Sequence, residues 1–333
     1  MKQLLAITMG DVNGVGPEIL AKAFAEIDLG GGRRFVVYGS SQDYVAARRW
    51  APRAPDSVVV SNAAEAAKTV DVIPFIEAGA PIPERRPGQL DAQAGRCAIL
   101  WLEAAVEAAQ RYEVDAIVTC PLNKQGIHLA GYTIQGHTDH IAALTNAPNY
   151  RMGLFAGPMR IVHITAHLAL SEALRRVERE RIAKTIRLGH EALVRMGVPA
   201  QRIAVAGLNP HAGEGGAFGD EEAKEIAPAV AQCRIEGIDC SGPHSADTVF
   251  LRMKEGEFDL VVAMYHDQGH IPLKLTAMDE GVNITLGIPI VRTSVDHGTA
   301  YDIAGTGTAR HASLLAALEL ASQLASSRKG IAR

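Results

Sequence analysis

With 333 residues, 47% of them hydrophobic, the chain has enough apolar material for a sizeable core, and its length suits two α/β lobes better than one domain. Its formal charge of -4, from 33 basic and 37 acidic residues spread along the sequence, builds no field for nucleic acid or an anionic membrane and points to a small-molecule partner. Cys97, Cys120, Cys233 and Cys240 form no CxxC pair, which argues against a disulfide framework and a thiolate zinc site and leaves them as reduced, structural residues.

The first apolar run, Leu4-Leu5-Ala6-Ile7, is too short for a secretory signal core and reads as a strand over Leu4–Met9. No stretch approaches the ~20 apolar residues of a membrane helix, so a cytoplasmic protein is expected. The turn that follows, Gly10-Asp11-Val12-Asn13-Gly14-Val15-Gly16-Pro17-Glu18, leads into a helix with Pro17 suited to its first position. Its spacing matches neither GxGxxG nor the P-loop. Backbone amides there could hold an anion, a plain tight turn accounts for the pattern equally well, and Asp11 stands as a site-lining candidate.

Further strands are read at Phe35–Tyr38, Val58–Val60, Ala116–Thr119, Arg160–Thr165, Ile203–Gly207 and Leu260–Met264. The clearest helices, Gln89–Tyr112, Val177–Met196 and Glu221–Ile235, carry apolar residues at three- and four-residue intervals with charges opposite. Residues 81–88, with three prolines and two arginines, form a loop or arm before the first of them. This alternation predicts an α/β fold of mostly parallel sheets flanked by helices. In the second half Gly, His, Asp and Asn gather just after the strands, where open α/β sheets hold their ligands.

Of 12 histidines, His137, His140, His163, His167, His211, His266 and His270 fall in polar stretches. Neutral imidazole is a common ligand for zinc, although any one of these rings is explained as well by a structural hydrogen bond. Loops ending in His167, in Asn209-Pro210-His211 and in Tyr265-His266-Asp267 each follow a predicted strand and can converge on one ion; spacing does not choose the three. Asp247 and Asp267 are the acids near this set, as ligands, orienting partners or a proton acceptor, with a helix cap the first reading for Asp247. Lys274, Asn283 and Arg292 suit a phosphorylated acid, since arginine offers a forked donor and lysine a point charge.

The loop from Val295 to Gly307, before a long helix, resembles the adenosine-binding loop of the isocitrate and isopropylmalate dehydrogenases, which hold NAD outside the usual Rossmann arrangement. The resemblance implies cofactor contacts at His297, Gly298, Thr299, Ala300, Asp302 and Gly305.

A wider set of motifs runs in order from near residue 5 to near residue 320: the first glycine-rich turn, Pro121-Leu122-Asn123-Lys124, Gly136-His137-Thr138, the segment from Gly207 to Gly216, Met264-Tyr265-His266-Asp267-Gln268-Gly269, and Asn283-Ile284-Thr285-Leu286-Gly287 followed by Arg292 to Ala300. Together they resemble the 4-hydroxythreonine-4-phosphate dehydrogenase family. That resemblance implies a two-lobed, isocitrate/isopropylmalate dehydrogenase-like α/β fold. Residues 1–140 with 288–333 would bear the cofactor loop, and residues 141–287 would bind metal and substrate and form the dimer. It implies metal ligands His167, His211 and His266, and substrate contacts His137, Thr138, Lys274, Asn283 and Arg292. A homodimer is implied as well, its shared active site taking His266 from the partner subunit. The cofactors would be NAD or NADP and one divalent cation, zinc first, with magnesium, manganese or cobalt as other candidates.

The implied reaction is metal-dependent NAD(P)-linked oxidation of the secondary alcohol of 4-phosphohydroxy-L-threonine, followed by decarboxylation. Asp247, Asp267 and Lys274 stay open as its proton acceptor. Relatives in that family act on D-threonate or D-erythronate 4-phosphate or on the dihydrodiol of an aromatic acid. Val12-Asn13, Asp139-His140 and Ala169 depart from the vitamin B6 enzyme's usual pattern, so these substrates stand beside the first. A non-catalytic metabolite-binding module ranks last, because metal-type histidines and a cofactor loop have little reason to coexist in one.

Overall fold

The computed structural model of the chain describes residues 2–79, 84–134 and 136–331. Two compact units emerge, Met1–Pro148 with Ile288–Arg333, and Asn149–Gly287. The strands among the described residues are, in chain order, β1 (Gln3–Thr8), β2 (Arg33–Tyr38), β3 (Ser57–Val59), β4 (Ile73–Ile76), β5 (Ala116–Thr119), β6 (Arg151–Ala156), β7 (Met159–His163), β8 (Ile203–Ala206), β9 (Cys240–His244), β10 (Leu260–Ala263), β11 (Val282–Leu286) and β12 (Arg292–Val295).

In the first unit the strands lie in the order β3-β4-β2-β1-β5-β12, and every pairing is parallel. Leu5, Ala6, Ile7, Ala116, Ile117 and Val118 are fully buried, the unbroken apolar reading that parallel strands show when covered on both faces. The helix Ala92–Gln110 starts at Asp91, whose side chain accepts from the Ala94 N–H, and buries Cys97, Ile99 and Leu102. Gly10 leaves β1 with φ +71, and a Cβ there would stand 2.1 Å from the Pro121 carbonyl oxygen, so only glycine passes.

In the second unit the order is β11-β6-β7-β10-β8-β9. Strands β7, β10, β8 and β9 are parallel, while β6 runs antiparallel to both β7 and β11. Its core joins Leu154, Ile161, Val249, Met253, Val261 and Leu273. Because β7, β10 and β8 are parallel neighbours, their carboxyl ends lie side by side, which brings three loops far apart in sequence to one edge.

The mostly parallel α/β reading holds. Strand β7 ends at His163, two residues before the expected end, and β4, β6, β9, β11 and β12 were not anticipated. The helix expected over Glu221–Ile235 opens as a π-turn at Glu222–Ile226 before the α-helix Ala227–Ile235, since Pro228 lacks the N–H that would continue an α pattern. The first unit runs on to Pro148, so the helix His137–Leu144 lies whole within it. Residues 81–83 of the expected arm lie outside the described residues. Further along the arm, Arg85 Nε donates to the Val12 carbonyl at 2.6 Å and the Arg86 and Gly88 N–H groups bond Asn13, so the arm is tied to the first turn. All four cysteines are free and buried. Among the described residues, no helix is long and apolar enough to cross a membrane.

Candidate active site

Two hydrogen bonds stitch together the loops that leave β7, β10 and β8. The Thr165 hydroxyl donates to the Met264 carbonyl at 2.9 Å. The Gln268 amide donates to the Gly207 carbonyl at 2.8 Å and accepts from the Met264 N–H at 2.7 Å. These loops carry His167, His266 and His211. The rings of His167 and His266 stand 5.6 Å apart, centre to centre, and line an open cleft of about 350 Å³ with Asp267, Tyr265 and Leu168.

His211 occupies a left-handed turn in which His211, Ala212 and Glu214 take φ of 52, 54 and 42. Such backbone costs ~1 kcal/mol or more per non-glycine residue and persists only where the surroundings impose it. Buried Glu222 supplies part of that hold, accepting from the Leu208 and Asn209 N–H groups at 2.8 and 2.7 Å and from the Asn209 amide at 2.9 Å. Burial opposes the Glu222 charge, but these donors outweigh it and keep the carboxyl below its usual range.

His211 and His266 share one arrangement: Nδ1 of His211 meets Glu214 Oε1 at 2.7 Å, and Nδ1 of His266 meets Asp267 Oδ1 at 2.6 Å. A carboxylate on Nδ1 fixes the tautomer that leaves Nε2 as a lone-pair donor, the state in which histidine ligates a metal. The donor set therefore fits a divalent cation. Among the described residues of one chain, however, no three His, Cys, Asp or Glu side chains stand close enough to hold one.

Behind His266 lie two buried imidazoles to which sequence reasoning gave no role. His270 stacks on His266, centres 3.6 Å apart and planes 12° apart, and its Nδ1 is 3.2 Å from His163 Nε2. Both were in view as clustered histidines. Reading the segment as a loop concealed that it begins the helix His266–Ala277, where a spacing of four puts His270 one turn beyond His266.

Burial, helped by the neighbouring rings, pushes His163 down to about 3 and His270 down to about 4 from 6.5. Below pH 6.5 the unfolded chain takes up protons that these rings refuse until their folded pKa values are reached. Stability of the chelator-treated protein should therefore fall as pH drops from 6.5 toward 4, by up to ~1.4 kcal/mol per pH unit for each ring. Urea unfolding across that range checks it, and a flat profile contradicts it.

The remaining residues of this unit are placed as follows. Asp247 is not a cap: Ser245 holds that position, and Asp247 lies in the first turn of the helix Ala246–Lys254, accepting from the Ser245 hydroxyl at 2.6 Å. Lys274 lies exposed on the helix His266–Ala277, and Asn283 sits on β11 opposite Leu154.

In the first unit, Arg292 on β12 donates to the Thr119 hydroxyl at 2.6 Å and to the Thr138 hydroxyl at 3.5 Å. The structure thus brings Thr138 and Arg292 together and adds Thr119. Burial pushes the Arg292 guanidinium down to about 9, a cost that an anionic ligand would offset. Burial, Arg292 and His140 hold the neighbouring His137 well below its usual value, and His140 itself bonds Glu103 at 2.9 Å.

The expected cofactor loop is fastened to the first glycine-rich turn. Tyr301 donates its hydroxyl to buried Asp11 at 2.6 Å, and the Val15 N–H donates to the Thr299 carbonyl at 3.0 Å. Glu18, fully buried, accepts from the Gly307 and Ala309 N–H groups and from Lys22. That turn is a support for the loop. Gly305 serves packing, since a Cβ there would lie 2.9 Å from Pro87. Two features fit a bound dinucleotide: His297 Nε2 is buried without a hydrogen-bond partner, and a Cβ on Gly298 would meet nothing within 4 Å. Ala300 takes a left-handed φ of 43 and Asp302 is exposed.

Burial raises the Asp11 carboxyl despite its bonds to Tyr301 and Asn13. Tyr301→Phe should cost ~1.5–3 kcal/mol in urea unfolding and raise the KM for NAD(P) several-fold by loosening the loop. An unchanged KM would detach this fastening from cofactor binding.

The profile described as pyridoxal phosphate biosynthetic protein PdxA matches residues 33–321. The D-threonate 4-phosphate dehydrogenase of Pectobacterium atrosepticum is 44% identical, over 98% of this chain and 100% of its own. The 4-hydroxythreonine-4-phosphate dehydrogenase of Geobacter metallireducens is 44% identical, over 97% of this chain and 96% of its own. The crystal structure of the 4-hydroxythreonine-4-phosphate dehydrogenase from Klebsiella pneumoniae superposes with a TM-score of 0.85 at 44% identity, covering 97% of this chain and 100% of that one. Isocitrate dehydrogenase from Methylococcus capsulatus, 14% identical with a TM-score of 0.51, shares the fold alone. A profile match across most of the chain and end-to-end relatives at this identity lead to one conclusion: the chain belongs to the pyridoxal phosphate biosynthetic protein PdxA family.

Proposed function

We propose that the chain is a metal-dependent, NAD(P)-linked dehydrogenase that oxidises the secondary alcohol of a four-carbon hydroxy acid bearing a terminal phosphate, with decarboxylation of the resulting 3-keto acid. The observation that carries this reading is the stitched edge of β7, β10 and β8, where His266 and His211 each have a carboxylate on Nδ1. His167 and His211, with His266 of the partner subunit, would hold the cation, zinc first. When bound, the cation would polarise the substrate's hydroxyl oxygen and stabilise negative charge developing there. Residues His297 to Gly305 would hold NAD(P).

The chain's own groups do the rest. Arg292, His137 and Thr138, with Lys274 and Asn283, grip the acid and its phosphate and so fix the reacting carbon. Asp267 is engaged in orienting His266, which leaves Lys274 and Asp247 to take the hydroxyl proton. The carbon–hydrogen bond breaks with its electron pair leaving as hydride to NAD(P), and the C–O single bond becomes a carbonyl. A homodimer is supported by Ile271 and Leu275 on the helix His266–Ala277 and Met278 just beyond its end, exposed at four- and three-residue spacing, and by exposed Leu168, Leu170 and Leu174 beyond His167.

Two acids fit, differing at C2. D-Threonate 4-phosphate carries a hydroxyl there and is named for the Pectobacterium relative; 4-phosphohydroxy-L-threonine carries an ammonium and is named in the Geobacter and Klebsiella proteins. Purified protein should reduce NAD or NADP with one of them, faster than with D-erythronate 4-phosphate or an aromatic dihydrodiol, and only after metal is supplied. No reduction with any of the four, with zinc, manganese, magnesium or cobalt present, would overturn the enzyme reading.

A further inference from the structure

The cluster of four histidines around β7 and the helix His266–Ala277 contains more imidazole than a metal site needs. His163 is 1% exposed and His270 is 8% exposed. The hydrogen bonds of both run in one direction. Nδ1 of His163 is 3.4 Å from the Met152 carbonyl, which can only accept, so Nδ1 carries the proton and Nε2 is an acceptor. Nε2 then takes the proton of His270 Nδ1, which is also 3.1 Å from the His266 carbonyl. The chain Met152, His163, His270 therefore fixes the tautomer and the ring plane of His270. On that plane lies the His266 ring, stacked at 3.6 Å. Gly269 keeps the arrangement open, because a Cβ there would stand 2.5 Å from His163 Nε2.

We propose that His163 and His270 are positioning residues: a buried imidazole relay, anchored on the Met152 carbonyl, that sets the plane of the candidate metal ligand His266. The inference rests on the reading of His266 as a ligand. Asp267 fixes which nitrogen of His266 is free, and the relay fixes where the ring lies. With both constraints the ligand is preorganised before the cation arrives, and affinity is not spent on ordering it.

The test uses the intact protein, stripped and titrated with Co(II), with affinity taken from competition with a chelator and site geometry from the visible d–d bands. His163→Leu removes the acceptor for His270. His270→Phe keeps a ring against His266 without the Nδ1 proton, and guards against misfolding of the first variant. His163→Gln restores an acceptor. Both His163→Leu and His270→Phe should lose about ten- to a hundredfold in Co(II) affinity with shifted bands, and His163→Gln should recover most of the loss. NAD affinity, read by fluorescence quenching without metal, should stay unchanged in all three. Parent-like Co(II) affinity and bands in either folded variant would overturn the relay alone, as would a His163→Gln protein no better than His163→Leu. A parent protein that binds no Co(II) would overturn the ligand reading and this inference with it.

Discussion

Replacing His211 with alanine should empty the enzyme of metal and lower kcat by about a thousandfold or more, with no loss of stability relative to the metal-free parent. A ligated cation supplies several kcal/mol of charge stabilisation at the reacting oxygen, and ~4 kcal/mol corresponds to about three orders of magnitude in rate. The His211 side chain is 61% exposed and its partner Glu214 53% exposed, so the fold has little to lose, within about 0.5 kcal/mol. Alanine keeps the left-handed backbone at the same cost. Metal analysis, steady-state kinetics and thermal unfolding of one preparation separate the effects. A His211→Ala protein with full metal content and parent-like kcat would remove His211 from the ligand set.

Arg292→Met should raise the KM for the phosphorylated acid by about a hundredfold and leave the KM for NAD(P) unmoved. Arg292 is 2% exposed, and its guanidinium donates to the hydroxyls of Thr119 and Thr138. Its charge is held against the cost of burial. An anion that meets that charge gains ~1.5–3 kcal/mol per charge-assisted hydrogen bond, and this is what methionine forfeits. Urea unfolding beside the two KM values decides the matter. Destabilisation with an unchanged substrate KM would mark Arg292 as a structural residue.

What could be read from the sequence follows from where each residue's energy comes from. Strands β1, β5 and β10 are legible because burial on both faces demands an unbroken apolar run, as in Leu5-Ala6-Ile7 or Leu260-Val261-Val262. Strand β9, Cys-Ser-Gly-Pro-His, is held by its pairing with β8, where the register shifts between Ala204 and Ala206, and nothing in its own composition signals a strand. Strands β11 and β12 were hidden by the polar residues that make them interesting. Asn283, Thr285, Arg292 and Thr293 interrupt the apolar pattern, so neither segment was read as a strand, and Asn283 and Arg292 are found on β11 and β12.

The candidate site divides in the same way. Histidine identity and the strand-then-loop setting are local, and they brought His167, His211 and His266 into view among the other clustered histidines, while the choice of these three was what the family resemblance implied. The contacts that organise those loops join residues far apart in sequence: Gln268 to Gly207 across 61 positions, Thr165 to Met264 across 99, and His270 to His163 across 107. Their register depends on β7, β10 and β8 lying side by side, which one sequence does not reveal. The first glycine-rich turn is a further case. Its motif reads as a cradle or a turn, while its bonds to Tyr301, Thr299 and Gly307 make it a brace for the loop expected to hold the cofactor.

The central claim, that three imidazoles serve one cation, is tested most directly by anomalous diffraction at the zinc edge from crystals of the zinc-loaded protein. The account predicts one peak per active site, bounded by His167 and His211 of one subunit and His266 of the partner subunit. Zinc found only on other side chains, with those three rings unligated, would contradict it.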